Sequence, residues 1–158
     1  MLFKTISFSL ISIWCVLCVG CLLTPVRNEG TAMKPTLGDG DRVFINRNFG
    51  ELNRGDIVAF QFPKDKSKSF VKRIIGLPSE TVEVRDGKVF VNGNPLDETY
   101  ISSEFNRAKA NMSPKVIPSE QYFVMGDNRD NSYDSRSWGT LPKDLIYGKY
   151  SLTYLRGK

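Results

Sequence analysis

Residues 81–93 read Thr81-Val82-Glu83-Val84-Arg85-Asp86-Gly87-Lys88-Val89-Phe90-Val91-Asn92-Gly93. Valines recur at every second position on either side of Asp86-Gly87, so one face of each run is apolar and the other polar, as a half-buried strand requires. An Asp-Gly pair between two such runs tolerates the positive φ angles of a type I′ turn, whose twist matches paired strands. Asn92-Gly93 repeats that signal at the end of the second strand. Outward from this hairpin, short period-two runs recur at 42–46, 56–62, 69–76, 122–125 and 149–155, separated by glycine, proline and Asn or Asp turns. No stretch after residue 30 keeps a helical period over ten residues. The expectation is a mainly β domain built of antiparallel meanders, with 96–120, polar and carrying Pro114 and Pro118, as a connection across the surface and the least ordered part.

Residues 6–26 contain no charged side chain and are dominated by Phe, Leu, Ile, Val and Trp. About 20 such residues span a bilayer as a helix. Lys4 precedes the run, whereas Arg27 and Glu29 follow it with no net charge, so the positive-inside bias puts the N-terminus in the cytoplasm. The expected organisation is a single-pass anchor at 1–26 and an extracytoplasmic domain at 27–158. Two rivals exist. A cleaved secretory signal would have an apolar region of roughly 7–15 residues and a small-residue cleavage site, which is hard to place. A lipoprotein signal would end at Cys21, but Cys18 stands where leucine is expected.

The chain has 158 residues, with 22 Lys and Arg against 17 Asp and Glu, a formal charge of +5. That excess is too modest and dispersed for a nucleic-acid partner. It reads first as an ordinary solvated basic surface, and it would also serve a domain lying against anionic lipid headgroups, at roughly 1 kcal/mol per basic residue near the surface. The absence of histidine excludes a Ser-His-Asp triad, a Cys-His pair and every histidine metal site. Cys15, Cys18 and Cys21 all fall in the apolar run, which leaves the remainder with neither a disulfide framework nor a thiol nucleophile. No metal site and no cofactor motif is visible.

Without histidine, proton transfer falls to Lys, Asp, Glu or Tyr, and one hydrolytic arrangement open to the chain is a hydroxyl nucleophile with a neutral lysine as base. Burial among apolar groups makes the ammonium form unfavourable and so supplies that neutral amine. In Phe70-Val71-Lys72-Arg73-Ile74-Ile75, strand alternation puts Lys72 on one face between Phe70 and Ile74, with Val71, Arg73 and Ile75 on the other. Taken alone, Lys72 reads more readily as an edge-strand lysine that blunts aggregation. Residues 126–136, G-D-N-R-D-N-S-Y-D-S-R, read alone as a solvated Asx-rich loop, a reading that leaves unexplained the apolar strand at 122–125 running straight into them.

Four blocks together resemble a known family. Residues 30–37, G-T-A-M-K-P-T-L, are similar to a nucleophile segment G-x-S-M-x-P-T-L; 55–58 are G-D-I-V; 71–78 are V-K-R-I-I-G-L-P; and 126–136 carry the most distinctive block. In this order behind an apolar run they resemble the bacterial type I signal peptidases, membrane-anchored serine/lysine endopeptidases of the peptidase S26 type that remove signal peptides from exported proteins. The resemblance implies Lys72 as general base, Ser132 as the hydroxyl orienting its amine, and Asp127, Asp134 and Arg136 as structural support, with Asp134 and Arg136 in an ion pair. It places Gly30 near the oxyanion hole and makes the N–H of residue 32 its main donor. Met33, Phe44 and residues 57–60 are expected to line a shallow apolar groove, with core packing an equal reading for each. There an extended signal peptide pairs as a strand, with small side chains one and three residues before the cut. The implied partners are signal peptides and membrane lipid, with no metal or organic cofactor.

Ala32 is the departure, since the family has serine there. A methyl group cannot attack a carbonyl, and Thr31 is a poor substitute because adjacent residues in extended backbone point to opposite sides. Two origins fit: a deliberate replacement, or natural loss in a protein that keeps its cleft and binds preprotein or pilin-like segments without cutting them. The self-cleaving repressors share the serine/lysine logic, but they predict an N-terminal DNA-binding domain where this chain has its apolar run.

Overall fold

The computed structural model describes residues 23–157. Eleven strands make two antiparallel sheets. The strands are β1 (Leu23–Arg27), β2 (Arg42–Asn46), β3 (Ile57–Phe62), β4 (Asp65–Gly76), β5 (Thr81–Arg85), β6 (Lys88–Val91), β7 (Asn94–Pro95), β8 (Met112–Val116), β9 (Gln121–Met125), β10 (Leu141–Pro142) and β11 (Ile146–Leu155). The larger sheet has the order β1-β2-β11-β3-β4-β9-β10 and the smaller β7-β6-β5-β8. A single turn of helix, α1 (Ser135–Trp138), follows the 126–134 loop.

The hairpin that opens the reading forms as expected. Asp86 and Gly87 have φ of 48° and 75°, and Val82 and Val84 stand opposite Val91 and Val89. Those four valines are buried against Ile75, Ile117, Phe123 and Met125, so this second core lies between the two sheets. Gly76 adjoins this core, and a Cβ there would collide with Ile117 and Val82. The alternation of β3 divides its side chains between two further clusters. Val58, Phe60 and Phe62 pack with Ile74 and Trp138, whereas Ile57 and Ala59 pack with Met33, Leu37 and Ile45.

Three expectations change. Residues 23–26, assigned above to the anchor, form β1, which pairs with β2 from Leu23↔Asn46 to Arg27↔Arg42. Pro25 is tolerated there because β1 is an edge strand. The rest of the apolar run lies outside the described residues. Among the described residues no helix is long and apolar enough to cross a membrane. Within 96–120, β8 pairs with β5 and completes the small sheet, held by Met112 packed on the second core, and the stretch is therefore more than a surface connection. Finally, β2 and β3 are interior strands with neighbours on both sides. Residues 57–60 are consequently buried, and Phe44 stacks on Tyr154 with ring centroids 4.4 Å apart, so neither forms a groove edge.

Candidate active site

Strand β4 pairs with β3 from Asp65 to Arg73, but with β9 only from Arg73 onward, which leaves one backbone edge of residues 69–72 without a strand partner. Lys72 lies on this stretch. Strand alternation carries it to the face of Phe70 and Ile74, where it is 5% exposed, with Nζ 5.3 Å from the Phe70 ring centroid and donating to the Val71 carbonyl at 3.1 Å. Burial pushes the amine down from 10.5 to about 8, while the negative charges of Asp134 and Asp127 pull the other way.

Arg73 leaves the opposite face and forms a two-toothed ion pair with the fully buried Asp127, at 2.8 and 2.6 Å. It also donates to the Gly55 carbonyl at 2.8 Å, and the Thr36 hydroxyl donates to Asp127 at 2.5 Å. Arg73 and Asp127 together therefore tie β4 to the turn before β3 and to the segment that carries position 32.

That segment is held on its other side by backbone and amide groups. The Ala32 carbonyl accepts from the Asn128 N–H at 3.0 Å, the Thr31 carbonyl from Asn128 Nδ2 at 3.1 Å, and the Thr31 hydroxyl from Asn131 Nδ2 at 3.0 Å. Among the described residues the Ala32 N–H has no acceptor. Gly126 sits where these parts converge, because a Cβ there would strike both Ser132 Oγ and the Ala32 carbonyl. The Gly126 N–H donates to Asp134 at 3.0 Å, and Arg136 grips Asp134 with two bonds of 2.8 Å.

Ala32 and Lys72 face the same cavity of about 180 Å³, walled by residues 26–29 on one side and 69–72 on the other, with Met33 and Tyr147. Met33 also belongs to the core, at 1% exposure. Ser132 comes against Gly126, but its Oγ is buried with no hydrogen-bond partner among the described residues, and the bond recorded for the Lys72 amine goes to Val71. Gly30 does not line the cavity. With φ of 83° it turns away, and its N–H donates to Asp39 at 2.7 Å, which removes it as a free oxyanion donor.

The buried amine has a cost in stability with a definite sign. Between pH 8 and 10.5 the unfolded chain holds a proton on Lys72 that the folded chain has released, so stability rises with pH across that window. Below pH 8 the folded chain carries the buried ammonium at a cost of about 3 kcal/mol, from 1.36 kcal/mol per unit. Lys72→Met should therefore stabilise the protein at pH 7 by up to about 3 kcal/mol and flatten that rise; urea unfolding of both proteins at pH 7 and 9.5 measures it. Destabilisation at pH 7 would contradict the assignment of a strained amine.

A family model described as "Signal peptidase, peptidase S26" matches residues 2–155. The chain belongs to the signal peptidase family. It is 42% identical over 138 residues to signal peptidase I P of Bacillus subtilis subsp. natto, covering 80% of this chain and 74% of that one. It is 41% identical over 138 residues to signal peptidase I T of Bacillus subtilis strain 168, covering 80% and 71%. A crystal structure of a signal peptidase I from Enterococcus faecalis V583 superposes with a TM-score of 0.56 at 32% identity, covering 66% of this chain and all of the other. The mainly antiparallel β architecture is that of the signal peptidase fold.

The sequence reading passed over several residues that hold the candidate site together. Thr36, Asn128 and Asn131 lie inside its motif blocks, where their bonds to Asp127 and to residues 31 and 32 could have been suspected. Glu98 and Tyr100 lie outside every block and carry no local signal.

Proposed function

We propose that this chain has the frame of a membrane-bound type I signal peptidase acting on exported preproteins, with position 32 as the nucleophile position and Lys72 as general base. The observation that carries the proposal is that the buried Lys72 lines the same cavity as Ala32, beside a stretch of β4 with one backbone edge that has no strand partner among the described residues. An extended signal peptide pairing with residues 69–72 offers its backbone to that edge, and the small cavity suits small side chains. With serine at 32, neutral Lys72 accepts the hydroxyl proton as oxygen attacks the scissile carbonyl, and the N–H of residue 32 donates to the developing oxyanion. The ammonium then returns the proton to the leaving amine. A water deprotonated by the same amine hydrolyses the ester and regenerates serine. Ser132, whose hydroxyl has no partner among the described residues, orients the amine, and Asp127, Asp134 and Arg136 hold the loop that presents it.

As it stands, with Ala32, the chain binds without cutting. The part of the apolar run that precedes β1 anchors it in the cell membrane, N-terminus inside, with the domain outside and against lipid. Ala32→Ser is expected to process a preprotein in detergent, read as the mature fragment on a gel with its new N-terminus sequenced. Absence of product from a folded Ala32→Ser protein that still binds the preprotein would favour a binding module.

A further inference from the structure

Arg129 is almost fully buried, and among the described residues Glu98 is the carboxylate that neutralises it. Glu98 Oε1 and Oε2 accept from Arg129 Nη2 and Nη1 at 2.5 and 3.1 Å, and Oε1 also accepts from the Tyr100 hydroxyl at 2.8 Å. Arg129 Nε in turn donates to the Gly126 carbonyl at 3.0 Å, and the Arg129 carbonyl accepts from Arg136, the partner of Asp134. Gly126 is therefore held from both ends of its peptide units: its carbonyl through Arg129 and Glu98, its N–H through Asp134 and Arg136. Tyr100 extends the same assembly to the base strand, its ring lying 4.0 Å from the Arg73 guanidinium that grips Asp127.

We propose that Glu98 is a positioning residue for the catalytic loop. Through Arg129 it fixes the Gly126 peptide, and through Tyr100 it joins that loop to Arg73 and Asp127, so that Ser132 is held against position 32. The role rests on the proteolytic reading above, yet Glu98, Tyr100 and Arg129 line no part of the cavity that holds Ala32 and Lys72. Substrate affinity should be spared while the chemical step suffers. Burial, with the neighbouring Glu98 carboxylate, pushes the Tyr100 phenol up, so the hydroxyl remains a donor to Glu98 throughout the neutral range.

The test has two arms, both on the full chain in detergent. In the Ala32→Ser background, Glu98→Gln should lower kcat at least tenfold with KM within twofold, and Glu98→Asp should recover part of the loss. In the unaltered Ala32 chain, Glu98→Gln should speed amide hydrogen exchange of residues 126–132 at least tenfold and leave residues 57–62 unchanged. A rise in KM at constant kcat, or exchange that quickens equally in both segments, overturns the proposal. The exchange arm decides alone if Ala32→Ser proves inactive, which separates failure of this inference from failure of the proteolytic reading. Should Glu98→Gln fail to fold, the double variant Glu98→Leu with Arg129→Met removes the charges together. It should restore the melting temperature and keep exchange at 126–132 fast, because Gly126 has lost its donor; slow exchange there refutes the role.

Discussion

In the Ala32→Ser protein, kcat/KM for a preprotein should climb tenfold per pH unit up to about pH 8 and level off above it. Only the neutral amine accepts a proton, and the buried Lys72 changes form near that pH. Lys72→Ala in the same background should lower kcat by about 10³-fold or more, since loss of a general base alone is worth 10²–10⁴-fold. Lys72→Arg should be no better, because a guanidinium is not deprotonated in this range. A pH–rate profile that stays flat from pH 6 to 10, or substantial activity in Lys72→Ala, would remove Lys72 from the mechanism.

Asp127→Ala should be the most damaging single change to the fold. The Asp127 carboxylate is fully buried and takes two bonds from Arg73 and one from Thr36. Truncation leaves the Arg73 guanidinium, itself 8% exposed, without its counter-charge. Breaking a buried pair in this way costs about 3–5 kcal/mol, which is a large fraction of the roughly 5–15 kcal/mol that holds a domain folded. Replacing both partners with apolar groups of similar size, Asp127→Leu with Arg73→Met, should recover much of the loss, since an empty site is less unfavourable than an orphaned charge. Chemical denaturation of the three proteins gives the comparison. An Asp127→Ala protein within about 1 kcal/mol of the parent would mean that Arg73 finds another partner.

Local patterns carried the fold well where one face of a strand meets the core. The hairpin at 81–93 and the setting of Lys72 between Phe70 and Ile74 both follow from period-two alternation and turn chemistry. Alternation says which face is buried, but it does not say which strand ends up at an edge. That is why the groove was sought at Phe44 and 57–60, although the open backbone belongs to residues 69–72. Strand β8 escaped for a related reason: it is an edge strand, carries Pro114 and needs only Met112 for its apolar contact. Leu23 to Val26 continue an uncharged run, so composition alone does not separate β1 from the segment before it, and Pro25 is the one local signal of a break. The bonds from Glu98 to Arg129 and from Asn131 to Thr31 join residues 31 and 100 positions apart, and no periodic signal reports such pairings.

The backbone around position 32 is gripped by its own carbonyls and those of its neighbour, bonded to Asn128, and no hydrogen bond in that grip involves the side chain. Folding is therefore almost blind to whether a hydroxyl or a bare methyl stands there. Selection for a well-folded domain would not oppose a single-nucleotide exchange between serine and alanine. Under the proposed mechanism the architecture outlives its chemistry, and Ala32→Ser restores the attacking hydroxyl in one step.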